Sequence, residues 1–195
     1  MNAASLTLDD VACARGGRVL FAGLSCAFGP GDAGVVTGPN GIGKSSLIAM
    51  IAGLLPPFAG RIAHGGVRAL LSEAAALDPE LPLARALGFW AAIDGRGDAV
   101  ADALAAVDLA PLADVPVRFL STGQRRRAAM ARVIASGAAI WLLDEPANGL
   151  DTASVARLAA VIEAHRAAGG IALVATHFDL GLTGTIPVTL AAPDA

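Results

Sequence analysis

Gly38-Pro39-Asn40-Gly41-Ile42-Gly43-Lys44-Ser45 is the stretch on which the reading of this 195-residue chain turns. It fits the phosphate-cradling pattern of two glycines with four residues between them, followed by Lys-Ser. Lys44 is the sole lysine; every other strong cation is an arginine. A compact ammonium on a flexible stem can follow the terminal phosphates of a nucleotide inside a tight loop, where a planar guanidinium is too bulky. Upstream, Ala33 to Thr37 is a short apolar run. Downstream, Ser45 to Leu54 has helical apolar spacing, and Gly53 with Pro56-Pro57 stops it. Strand, glycine loop, helix is the context in which the backbone N–H groups of Asn40 to Ser45 converge on phosphate. Gly38, Pro39, Asn40, Gly41, Ile42, Gly43, Lys44, Ser45 and Ser46 are therefore candidate nucleotide contacts, and the Ser45 hydroxyl is a candidate Mg²⁺ ligand.

Working outward, Leu6 to Leu8 and Leu24 to Phe28 read as early strands, with Gly16-Gly17 as a turn between them, and Val67 to Leu71 as another strand. From Glu73 to about Ser136 the character changes. Alanine-rich segments at Leu83–Ile93, Asp98–Val107 and Thr122–Ile134 carry helical spacing with no strand-like run between them. The expectation is one α/β domain over 1–195, with a core of 1–72 and 138–195 and a helical subdomain, 73–137, inserted into it. The core resumes with strand Ala139–Leu143, helix Thr152–Ala168, strand Ile171–Ala175 and a last strand near Pro187–Leu190. Ile140-Trp141-Leu142-Leu143-Asp144-Glu145 places two carboxylates at the end of a buried strand, where open α/β sheets bind ligands. Asp144 is a candidate Mg²⁺ ligand and Glu145 a candidate base for an attacking water.

Composition sets the bounds. The formal net charge is −3, which gives no general attraction to nucleic acid. The longest uncharged stretch, Ser45 to Gly60, contains two prolines and is shorter than the roughly 20 residues of a spanning helix. No apolar leader is evident at the N-terminus, so membrane action would come through another chain. Cys13 and Cys26 read as reduced thiols in a cytosolic protein.

Leu120-Ser121-Thr122-Gly123-Gln124 closely resembles the signature of ATP-binding-cassette (ABC) ATPases, commonly Leu-Ser-Gly-Gly-Gln. Glu145-Pro146 followed by Gly149-Leu150-Asp151 resembles the family's D-loop, and Thr176-His177 its switch histidine. The resemblance spans nearly the whole chain. It implies a P-loop core with a RecA-like, mostly parallel sheet, an antiparallel β subdomain and the helical insertion. It also implies ATP and Mg²⁺ as ligands, with His177 joining Glu145 at the γ-phosphate. Ser121, Gly123 and Gln124 would meet the nucleotide of a second copy of this chain, and Asp151 would communicate across that dimer. The family's adenine-stacking aromatic falls on Arg15, and the glutamine that approaches Mg²⁺ falls on Glu73. Arg125-Arg126-Arg127 reads as part of a solvated helix with salt bridges to neighbours or to nucleotide.

Cys13-Ala14-Arg15, Leu20 to Ser25, the non-glutamine at position 73, the signature with its three arginines, and Ile140 to Pro146 together resemble the ATP-binding subunit of bacterial haem exporters used in cytochrome c maturation. That likeness implies a peripheral protein on the cytoplasmic face of the inner membrane, paired with integral membrane transporter subunits. Neither nucleic acid nor haem is an expected ligand of this chain, since no histidine or cysteine stands in a haem-binding motif. Two alternatives stand beside it: the motor of another small exporter, and a nucleotide-gated binding module with low turnover, suggested by Arg15 and Glu73.

Overall fold

The computed structural model describes residues 3–72 and 76–192. Its elements in chain order are β1 (Ser5–Arg15), β2 (Arg18–Phe28), β3 (Ala33–Thr37), α1 (Lys44–Ala52), β4 (Ala59–Gly65) and β5 (Arg68–Leu71), then α2 (Leu83–Ile93), α3 (Val100–Ala106) and α4 (Thr122–Ala135), and finally β6 (Ile140–Asp144), α5 (Thr152–Ala167), β7 (Ile171–Ala175) and β8 (Ile186–Thr189). Five strands form a parallel sheet in the order β5-β6-β7-β3-β8. A separate antiparallel sheet has the order β2-β1-β4. This is an α/β fold with an added antiparallel layer, as the sequence led us to expect.

β1 and β2 are each much longer than the apolar runs that announce them. Their two-residue Gly16-Gly17 connection has positive φ at both glycines, the geometry that matches strand twist in a tight hairpin. β4 escaped the sequence reading altogether. Its residues, Ala-Gly-Arg-Ile-Ala-His-Gly, carry no apolar run and only Ile62 with a bulky aliphatic side chain. Its strand state comes from pairing with β1, not from propensity.

The middle of the parallel sheet is covered on both faces, which is why β6 and β7 are nearly continuous apolar runs. Ile140 and Leu142 of β6, with Ile171 and Leu173 of β7, pack toward α1 and the antiparallel sheet. The alternate residues Trp141 and Leu143, with Ala172 and Val174, pack with α2, α3 and α4 in a second cluster. Leu142 and Leu143 are completely buried. Each such leucine stabilises the fold by about 1.5–3 kcal/mol through burial. Between β5 and β6 the described residues form helices and turns, with no strand.

His165 of α5 lies flat on Trp141, with ring centroids 3.7 Å apart and an interplanar angle of 6°. Its Nε2 is 3.3 Å from the Ile171 carbonyl. Burial pushes its pKa below the ordinary 6.5, and the carbonyls of Ile171 and Ala139 oppose that only in part. The folded state therefore holds His165 neutral while the unfolded chain takes up a proton first. The stability this site contributes is complete above the ordinary histidine range and declines as pH falls through it. In urea titrations, the unfolding midpoint of the wild type should drop between about pH 7 and pH 5 more steeply than that of His165→Phe, which keeps the stack and removes the proton site. Equal slopes would show that this histidine does not govern acid stability.

Candidate active site

The glycine loop leaves β3 and returns as α1. Gly38 has φ 145° and Gly43 has φ 108°, both in the region that disfavours side chains. A Cβ at Gly38 would also lie 2.7 Å from the Leu190 carbonyl. These two glycines let the loop double back and present its amides at the start of α1. Lys44 folds inward and is buried. Its Nζ donates to the Gly38 carbonyl at 2.9 Å and to the Pro39 carbonyl at 3.3 Å. The ammonium thus sits inside the loop it belongs to, with its third donor open to a ligand.

β6, β7 and β3 end at the same edge of the sheet, and their first residues beyond it make the rest of the site. Asp144 ends β6. Burial raises its pKa; the Ser45 hydroxyl opposes that, the neighbouring Glu145 charge adds to it, and Arg126 and Lys44 pull it back. Its Oδ1 is buried with no hydrogen-bond partner among the described residues. A buried carboxylate oxygen without a donor, beside a serine hydroxyl, fits a hard cation or one of its bound waters. No cluster of three or more His, Cys, Asp or Glu side chains among the described residues offers a complete metal cage. A cation here would need oxygens from a nucleotide as well, as Mg²⁺ commonly does.

Glu145 has φ 48°, a left-handed conformation rare for residues with a side chain. Its N–H donates to the Ala175 carbonyl at 2.8 Å. The turn aims its carboxylate at the segment after β7, where His177 Nδ1 lies 2.9 Å from Glu145 Oε2. Phe178 packs beside the imidazole, 4.0 Å between ring centroids. Thr176 and Phe178 bond reciprocally through the threonine hydroxyl, which fixes the backbone around His177. A cavity of about 550 Å³ opens here, bordered by Ser45, Asp144, Glu145, Thr122, Asn148 and Gly149 among others.

Ser121 is the N-cap of α4. Its Oγ accepts from the Gln124 N–H at 3.2 Å, and the Gln124 side-chain oxygen accepts from the Ser121 N–H at 2.7 Å. Gln124 is thus engaged within its own helix start, while the Ser121 hydroxyl keeps its hydrogen to donate. Gly123 allows close approach of the Gly149 carbonyl, 3.1 Å from where a Cβ would stand. Asp151 caps α5 by accepting from the Ser154 N–H at 2.8 Å, which holds its carboxyl below the usual range. Arg15 is exposed at the end of β1. Glu73 lies outside the described residues.

In the arginine run, Arg127 makes a carboxylate contact of the expected kind, to Asp108 at 3.6 Å. The run also donates to backbone carbonyls, which the spacing did not announce. Arg125 reaches Leu120, Arg127 reaches Val107 and Asp108, and Arg126 reaches Ser72, Asp144 and Glu145. Sequence spacing showed only that successive residues point in different directions; which carbonyls await them depends on packing.

Comparison with known proteins follows the same lines. The ABC transporter family model matches residues 21–148. A cytochrome c biogenesis ATP-binding export protein CcmA of Sphingopyxis alaskensis is 62% identical over 91% of this chain and 92% of its own. Its counterpart in Zymomonas mobilis is 54% identical over 92% of this chain and 81% of its own. Among solved structures, an inward-facing ABC transporter superposes with a TM-score of 0.85 at 22% identity, covering 99% of this chain and 82% of its own. The ADP conformation of an ABC transporter's ATP-binding cassette gives 0.74 at 21% identity, covering 91% and 83%. At these identities the structural matches speak for the fold alone.

Replacing Lys44 by Ala removes a charge-assisted donor and should weaken ATP binding roughly 10- to 100-fold by calorimetry or fluorescent-nucleotide titration. Unchanged affinity would exclude the loop as the phosphate site.

Proposed function

This chain belongs to the ABC transporter family, alongside the cytochrome c biogenesis ATP-binding export proteins, and on that premise we propose that it is the ATP-hydrolysing subunit of a membrane exporter serving haem delivery for cytochrome c assembly. The observation that carries the catalytic reading is the 2.9 Å contact between His177 Nδ1 and Glu145 Oε2 at the mouth of the phosphate loop.

ATP lies with its phosphates against the amides of residues 40–45, with Lys44 donating to the β- and γ-phosphates. Arg15 stacks on the adenine in place of an aromatic ring. Ser45 and Asp144 would hold Mg²⁺, which would supply charge neutralisation on the phosphates. Glu145 accepts a proton from a water whose oxygen attacks the γ-phosphorus. The bond from that phosphorus to the β–γ bridging oxygen breaks, releasing ADP and inorganic phosphate. His177 meets Glu145 through Nδ1, which leaves Nε2 for the γ-phosphate, so that one ring fixes both in register. Ser121 and Gly123, at the positive end of α4, complete the site of a second copy of this chain.

No helix among the described residues is long and apolar enough to cross a membrane. By the likeness to the export proteins, the cargo path is assigned to partner subunits in the inner membrane, with this chain on the cytoplasmic side. A groove of about 580 Å³ between the helical insertion and the core, bordered by Leu54, Val67, Trp90, Ile93 and Arg132, suits their docking. Leu54, Val67 and Ile93 are more than 60% exposed there. Segment 73–137 acts as the subdomain that transmits closure to them.

Glu145→Gln should lower turnover by roughly 100-fold or more while retaining nucleotide binding. Light scattering of that protein with Mg·ATP should show a doubled mass that reverts with ADP. Turnover equal to wild type would remove Glu145 as the base. Single copies under trapping conditions, even with the membrane partners present, would remove the shared site.

A further inference from the structure

Arg126 of α4 reaches the ends of both β5 and β6 through its side chain. One guanidinium nitrogen donates to the Ser72 carbonyl at 2.9 Å, just past β5. The other donates to the Glu145 carbonyl at 2.5 Å and lies 3.3 Å from the Asp144 carbonyl. The Glu145 peptide is therefore gripped on both sides. Ala175 takes its N–H, while Arg126 and the Asn148 N–H, at 3.2 Å, take its carbonyl. Between these anchors the residue stands at φ 48°. Left to itself, a glutamate at that position would relax toward negative φ and swing its carboxylate away from His177.

The donor must be an arginine for geometric reasons. Its planar fork carries five N–H groups on fixed bearings and can serve carbonyls from two strands at once. A lysine ammonium at the same reach is a single point and cannot span them. Arg127 offers a comparison within the same helix. It too bonds two carbonyls, those of Val107 and Asp108, but both lie inside the helical insertion and neither adjoins the site.

We propose that Arg126 is a positioning residue for hydrolysis: it sets the Glu145 carboxylate by holding that residue's carbonyl, and it makes this setting depend on where the signature helix and Ser72 stand. Arg126 lies five residues past Ser121, on the helix whose N-terminus faces the second copy. A shift of α4 is thereby passed to the Glu145 peptide without any contact to nucleotide. The inference rests on Glu145 being the base.

The test compares full-length wild type, Arg126→Lys, Arg127→Lys and Glu145→Gln in steady-state ATPase assays. Arg126→Lys should lower kcat about 10- to 100-fold, with KM for ATP changed by less than about threefold, the signature of a contact felt in the transition state alone. Arg127→Lys should stay within about threefold of wild type in both constants. Adding Arg126→Lys to Glu145→Gln should cause little further loss, because both act through one carboxylate. If Arg126→Lys yields little folded protein, Arg126→Met keeps the length without the donors and carries the same comparison. An unchanged kcat in the folded variant overturns the proposal, as does an equal additional loss in the Glu145→Gln background. A Glu145→Gln protein with wild-type turnover instead overturns the base assignment itself, and the two failures are distinct.

Discussion

In the parallel pairing of β6 with β7, Asp144 stands opposite Ala175, so the two strands leave the sheet at one level. The next residue of β6's exit, Glu145, then bonds its N–H to Ala175, and His177 emerges two residues beyond that same anchor. A slip of one residue in this register would turn Trp141 and Leu143 toward α1 and send the carboxylates to different sides of the sheet edge. The alternation of packing on the two faces, with Ile140 and Leu142 one way and Trp141 and Leu143 the other, locks the register. Catalytic geometry here is thus a by-product of how two buried faces are filled.

Charge at the site is handled sparingly. One buried lysine satisfies the loop's own carbonyls, and Asp144 keeps a buried oxygen without a partner among the described residues. Leaving such an oxygen unpaired costs stability. That cost would be recovered if a cation arrived with the nucleotide, as proposed for Asp144. The arginines of α4 work differently. They donate to backbone carbonyls: Arg126 ties α4 to the ends of β5 and β6, and Arg127 ties it to the turn after α3.

The departures from the common family pattern fall at positions of different structural weight. Thr122 opens α4 on the surface, where threonine is an ordinary first residue, and the capping box forms around it undisturbed. Arg15 is at the exposed end of a hairpin, a place where a planar cation can replace an aromatic face without disturbing the sheet.

Much of this molecule is written locally. The glycine loop, the apolar strands at 33–37, 140–144 and 171–175, and the capped starts at Ser121 and Asp151 each carry their own signal: forced positive φ, continuous burial, or a side chain that satisfies helix N–H groups. Such signals act over a few residues, so sequence alone determined those elements and the residue types at the phosphate site. Only the tertiary structure decided that Ala59–Gly65 is a strand, that Glu145 turns left-handed toward His177, and that Arg126 spans from α4 to Ser72 and Glu145. In each of these the bonding partner lies far away along the chain, and a hydrogen bond between distant residues exists only once packing has brought them within 3 Å or so.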